Sequence, residues 1–233
     1  MADLAPLVLL PGLLCDARLW REQALALHDV ADIQIADLTL DDSVSAMAAR
    51  VLAAAPQRFA LGGLSMGGYV AFEILRQAPE RVTRLALFST SAAPDSPQRA
   101  EQRRRAMAAL SVGRFLGVTQ QMMPQLLPPS RLNDPLAGEV KAMAGRVGGE
   151  AFLRQQQAIL GRPDSRPGLA GIRVPTLVAV GDLDRLTPPA EAQAIHEGVA
   201  GSTLHVFADC GHLPAMERPD ETTALLRAWL AEA

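Results

Sequence analysis

The chain has 233 residues, 49% hydrophobic and 20% charged, which is enough apolar material for one buried core and not the makeup of a disordered segment. A formal net charge of -3 offers no broad basic surface, so neither nucleic acid nor an anionic membrane is expected as a partner. No apolar run approaches the length of a membrane span, and a cytoplasmic location is the expectation.

In chain order, the opening "MADLAPLVLLPGLL" lacks a basic leader and a small-residue cleavage site, and Pro6 and Pro11 interrupt it. It reads as a first strand, Leu7–Leu10, followed by the loop "PGLLCDARLW". Further strands are expected at Asp32–Ala36, Arg58–Gly62, Arg84–Phe88, Pro175–Val180 and Thr203–Phe207, alternating with helical patterns. That alternation argues for an α/β fold with a mostly parallel sheet flanked by helices.

Between the second and third strands, Val44, Met47, Ala48 and Val51 recur at helical spacing behind a cap at Asp42 or Ser43, and Pro56 ends the helix. After Thr187, read as an N-cap, Pro188 suits a first helical turn, and Ile195 and Val199 continue the pattern. A last helix opens at Pro219, with Leu226, Trp229 and Leu230 on one stripe. The segment 92–168 breaks the rhythm: eight prolines separate short helical patterns and no strand is evident. It is expected to be a helical cap inserted into a core made of 1–91 and 169–233, over the sheet edge where ligands bind in open α/β sheets.

The stretch "FALGGLSMGGYVAFEIL" passes from strand to helix through "GLSMG", a G-x-S-x-G motif centred on Ser65. Glycines at 63 and 67 keep such a corner tight, and Gly68 lets the following helix approach the sheet. A serine hydroxyl needs a base to act as a nucleophile. Of the four histidines, His28, His196 and His205 lie where surface or packing roles suffice. His212 follows the last strand in "ADCGHLPAMERP", on the same sheet edge as Ser65. An acid to orient it is offered by Asp182 or Asp184 in "VAVGDLDRLTPP", after the fifth expected strand. The two cysteines, Cys15 and Cys210, have no metal or redox spacing and read as buried thiols, with a bridge between them left open.

The order Ser65, aspartate, His212 resembles the α/β-hydrolase fold superfamily over almost the whole chain, and in particular its small serine carboxylesterases and enol-lactonases. The resemblance implies a serine hydrolase of a carboxylic ester or lactone, with catalytic Ser65, Asp184 and His212 and no metal or organic cofactor. Asp184 is preferred over Asp182 because the family acid stands three residues after the glycine that ends its strand. The family's His-Gly pair in the first loop is here Pro11-Gly12. By that alignment the oxyanion is held by the amides of Leu13 and Met66, with Leu14 as the alternative to Leu13.

The chain also begins at what would be the family's third strand, so a reduced sheet of roughly six strands is expected. Other chemistry on the same scaffold, namely lyase, carbon–carbon hydrolase or cofactor-free peroxidase activity, and a non-catalytic ligand-binding role are the alternatives. In the insertion, Met107, Met122, Met123, Met143, Leu126 and Leu127 are candidates for an adaptable apolar pocket, with Met122, Met123 and Leu126 foremost. The segment "PQRAEQRRRAM" carries Arg99, Arg103, Arg104 and Arg105. It reads as a solvated helix face, or, by resemblance to esterases acting on carrier-bound methyl esters, as a docking face for an acidic acyl-carrier protein.

Overall fold

The computed structural model describes residues 4–111, 115, 117, 118 and 120–232. Six strands, β1 (Ala5–Leu10), β2 (Ala31–Ile35), β3 (Phe59–Leu64), β4 (Val82–Phe88), β5 (Thr176–Gly181) and β6 (Thr203–Phe207), form one sheet in the order β2-β1-β3-β4-β5-β6. Every neighbouring pair is parallel. Each strand lies within two residues of its expected position at either end.

Side chains alternate between the two faces with the period of a strand. Leu7, Leu9, Ala60, Leu64, Ala86, Phe88, Leu177 and Ala179 join one apolar cluster. Val8, Leu10, Phe59, Leu61, Leu85, Leu87, Val178 and Val180 join the other. Because helices cover both faces, β3 and β5 are buried along their whole length, and such strands read in sequence as nearly unbroken apolar runs.

The helices among the described residues are α1 (Arg21–Ala26), α2 (Val44–Ala54), α3 (Met66–Gln77), α4 (Pro97–Ser111), α5 (Met123–Leu126), α6 (Pro135–Leu160), α7 (Pro189–Gly198), α8 (Pro214–Glu217) and α9 (Pro219–Ala231). The α2 helix starts at a Ser43 cap whose Oγ accepts the Ala46 N–H at 3.2 Å, and buries Val44, Met47, Ala48 and Val51. Leu226 and Trp229 of α9 are buried, with Leu230 packed beside them.

One cap differs from expectation. The α7 helix begins at Pro189 behind Pro188, with no side-chain cap, and Thr187 turns instead to Asp184. Pro188 has no N–H to be capped, and the Thr187 hydroxyl has a stronger acceptor in the carboxylate.

Between β4 and β5 the described residues hold α4, α5, α6 and two short 3-10 turns, and no strand. Gly148 interrupts α6 with φ 80° and ψ 173°, a conformation that suits glycine. The half of α6 after this break brings Phe152, Gln155, Gln156, Ala158 and Ile159 into the interior.

Trp20 couples the sheet to the loop after β1: it is fully buried, meets Phe88 edge-on at 5.5 Å, and its Nε1–H donates to the Leu10 carbonyl at 3.3 Å. Trp20→Ala is expected to lower the unfolding free energy by ~3–5 kcal/mol, read by urea titration, and Trp20→Phe by less because most of the ring area stays.

Candidate active site

Ser65 stands at the turn from β3 into α3 with φ 55° and ψ -113°, a backbone region that non-glycine residues rarely occupy. The neighbouring glycines make the turn possible. A Cβ at Gly67 would lie 2.2 Å from the Leu10 carbonyl oxygen, and one at Gly63 would lie 2.6 Å from the Gly67 carbonyl carbon. The Ser65 N–H donates to the Phe88 carbonyl at 2.9 Å, and the Ser65 carbonyl accepts from the Gly68 N–H at 2.9 Å and the Thr90 hydroxyl at 2.8 Å. Both backbone ends are thus held, while the side chain lines a cavity.

Asp184 and His212 come from the loops after β5 and β6. The His212 Nδ1 lies 3.0 and 2.9 Å from the two Asp184 carboxylate oxygens, with both residues buried. Asp184 also accepts from the N–H groups of Leu186 and Thr187 at 2.9 and 3.0 Å and from the Thr187 hydroxyl at 2.9 Å. Burial pushes this carboxyl upward. The charge and hydrogen bond of His212 and the Thr187 donors outweigh it and hold Asp184 below the usual carboxylate range.

With Nδ1 engaged, Nε2 is the nitrogen left for the cavity that His212 shares with Ser65. Asp182 is placed elsewhere, accepting the Cys210 N–H at 3.1 Å. The other histidines face other partners: His28 the Leu25 carbonyl, His196 Ser202, and His205 Glu221.

Glu217, which the sequence reading passed over, holds the His212 loop. Its carboxylate accepts the Gly211 and Leu213 N–H groups at 2.8 Å each, and the His212 N–H donates to the Leu126 carbonyl at 2.8 Å. Burial dominates at Glu217 and raises its carboxyl against the lowering effect of the two N–H donors. The signal was an acid five residues after the histidine in a short helix, indistinguishable in sequence from a solvated surface residue.

A second unforeseen residue is Gln155. It is fully buried, accepts the Leu14 N–H through Oε1 at 3.0 Å and donates through Nε2 to the Leu38 carbonyl at 3.1 Å. Leu14 itself has φ 60°. Its amide is therefore occupied, whereas the Leu13 N–H has no hydrogen-bond acceptor among the described residues. Met66, whose amide is among the unpaired donors of the first turn of α3, follows Ser65 directly.

A cavity of about 240 Å³ joins these groups, lined by Gly12, Leu13, Ser65 and His212 from the sheet edge and by residues of α4, α5 and α6. Of the methionines and leucines named for an apolar pocket, Met122, Leu126 and Met143 lie on its wall, and Met123, Met107 and Leu127 do not. Met123 and Leu127 turn into the apolar cluster against the sheet, where both are almost fully buried.

Cys15 touches the cavity, and burial pushes its thiol up to about 12, so it is no nucleophile at neutral pH. Burial also raises the Cys210 thiol, and both cysteines are free. Among the described residues no group of three or more His, Cys, Asp or Glu is arranged to hold a metal ion, and no helix is long and apolar enough to cross a membrane.

Comparison with known proteins is consistent across the chain. The family model for the alpha/beta hydrolase fold matches residues 37–219. A pimeloyl-[acyl-carrier protein] methyl ester esterase of Pectobacterium carotovorum is 30% identical over 238 residues, covering 93% of this chain and 91% of that protein. One of the same description from Neisseria meningitidis serogroup C is 28% identical over 177 residues, 71% of this chain and 66% of its own length. Among the first curated relatives the matched part falls to 54% and 44% of the relative's length. A thermophilic esterase from Thermogutta terrifontis superposes with a TM-score of 0.87 at 31% identity, covering 97% of this chain and 89% of that one.

The Asp184 contacts set a pH dependence. Because its folded-state carboxyl titrates below the unfolded value of about 3.9, its stabilisation is fully present above that pH and is lost as pH falls through the folded value. In denaturation measurements between about pH 3 and pH 5, wild type is expected to lose stability more steeply with falling pH than Asp184→Asn. Glu217 titrates in both proteins and cancels from the comparison.

Proposed function

The chain belongs to the alpha/beta hydrolase fold family, and on that premise we propose that it is a serine hydrolase cleaving carboxylic esters, lactones included, through an acyl-enzyme on Ser65. The observation that carries this reading is the buried Asp184–His212 pair opening onto the same cavity as the strained Ser65 corner.

In this reading Ser65 Oγ attacks the ester carbonyl while His212 Nε2 takes its proton. Asp184 holds the imidazole with Nδ1 protonated and stabilises the imidazolium. His212 then gives the proton to the leaving alkoxide. Water attacks the acyl-enzyme with His212 again as base, releasing the carboxylic acid and restoring Ser65. The developing oxyanion is received by the N–H groups of Leu13 and Met66, each worth roughly 3 kcal/mol in the transition state. Gln155 supports the choice of Leu13 by occupying the neighbouring Leu14 N–H. The helices of 92–168 act as the cap that closes the cavity and shapes its acyl side, with Met122, Leu126 and Met143 supplying apolar wall.

The names of the matched relatives add a carrier-borne acyl group to the substrates worth trying. On the described part of α4, Arg104 and Arg105 are the outward-facing arginines, with Glu101 between them. They are the residues that would meet an acidic acyl-carrier protein.

With a p-nitrophenyl ester series of increasing acyl length, wild type is expected to turn over at least one member and Ser65→Ala to lose about a thousandfold or more in kcat. A wild-type protein inert to the whole series and to a fluorophosphonate probe would overturn the reading. Gln155→Leu leaves the Leu14 N–H without its acceptor and frees the loop. It is expected to lower kcat by about ten- to a hundredfold with little change in KM, because the loosened loop misplaces the Leu13 N–H, whose bond to the oxyanion forms only in the transition state.

A further inference from the structure

The four arginines that the sequence places together on α4 do not form one face. Arg104 and Arg105 point outward and pair with Glu101. Arg99 and Arg103 line the cavity that holds Ser65 and His212, beside Gln102 and Gln156.

The charges on this wall do not balance. Arg103 Nε meets one oxygen of Asp95 at 2.5 Å and its Nη1 donates to Gln156 at 2.9 Å. The other Asp95 oxygen is taken by Arg162 at 2.9 Å, whose guanidinium stacks 4.2 Å from the ring centroid of Tyr69, another cavity residue. One carboxylate therefore serves two guanidinium groups. Among the described residues the Arg99 guanidinium forms no ion pair, and its one hydrogen bond donates from Nη2 to the Leu186 carbonyl at 2.8 Å. A carbonyl fixes the side chain but does not neutralise it. Three arginines stand against one aspartate, and no Asp or Glu is among the described residues that line the cavity. Asp184, behind His212, is already engaged with the imidazole and Thr187.

A cleft with apolar walls and one sign of charge focuses its field on whatever enters it, and a guanidinium anchored at one nitrogen keeps its other N–H groups for a planar anion. We propose that Arg99, assisted by Gln102, forms a carboxylate subsite in the cavity, so that the favoured substrates are esters or lactones carrying a free carboxylate besides the bond that is cleaved. This rests on the ester-hydrolase reading for its chemistry but not for its binding, and the two are separable by experiment.

The test compares monomethyl adipate, anionic at neutral pH, with methyl hexanoate, its neutral counterpart of equal chain length. Wild type is expected to favour the anion in kcat/KM by about tenfold or more at low salt, the size of a charge-assisted hydrogen bond, and less at high salt. Arg99→Gln, which can still donate to Leu186, is expected to bring the ratio close to parity through KM, while Arg99→Lys keeps part of the preference. Equal turnover of both esters by wild type, or a variant in which both rates fall together with the ratio intact, would overturn the subsite.

Binding of adipate to Ser65→Ala, followed by calorimetry, provides the arm that needs no turnover. Adding Arg99→Gln is expected to weaken it by about tenfold. If neither ester is cleaved but adipate binds in this Arg99-dependent way, the subsite stands and the ester reading fails. Glycerol 3-phosphate binding in place of adipate would overturn the carboxylate assignment.

Discussion

A carboxylate at 4% exposure is the most demanding group in this molecule, and the loops at the C-terminal edge of the sheet are arranged around it. Asp184 would not stay ionised in that position without donors, because burial alone favours the neutral acid. Its four partners all come from groups with few alternatives: two amides of its own loop, the Thr187 hydroxyl, and His212. Satisfying the charge therefore fixes the course of the chain from β5 into α7. It also draws in the loop after β6.

The second loop is held with comparable completeness. From Cys210 to Leu213, four successive N–H groups each have a named acceptor: Asp182, Glu217, the Leu126 carbonyl and Glu217 again. An imidazole that must be aligned at one nitrogen and accessible at the other needs a backbone that does not drift. Here the alignment is imposed from the sheet edge, from α8 and from α5 at once. The Ser65 corner completes the arrangement from the opposite side, with a strained φ that the close approach of Gly67 to β1 makes affordable.

The strands, the Ser65 corner and the loop position of His212 were legible in the sequence because local signals specify them, whereas the residues alone left Asp182 and Asp184 open and only the family resemblance chose between them. Central parallel strands are apolar runs, and the serine lies between glycines that only a tight corner requires. What escaped was polar and nonlocal. Gln155 stands in "RQQQAIL", and which of three consecutive glutamines faces the core depends on the helical phase after the break at Gly148. Its partners at Leu14 and Leu38 are 141 and 117 residues away. Thr187 was read as a cap because the local pattern fits one, but a buried carboxylate is a better acceptor for its hydroxyl than a helix end that begins with proline offers as a donor. Met123 and Met122 are adjacent in sequence, so composition alone could not say which would face the cavity.

The placement of the arginines makes the same point about charge. A run such as "RAEQRRRAM" invites a single description, yet a helix turns successive residues by about 100°. Residues 99 and 103 share a face, while 104 and 105 lie round from it. Once α4 packs against the end of α6, the shared face of 99 and 103 must look into the interior, where each guanidinium needs compensation. Asp95 supplies it for Arg103 and for Arg162 together, and the Leu186 carbonyl holds Arg99 without cancelling its charge. Leu186 lies two residues beyond Asp184, so this unneutralised arginine is tied to the loop that orients His212. In the proposed reaction, binding polarity and the geometry of the reacting groups would thereby both be set by one short stretch of chain, from Asp184 to Thr187.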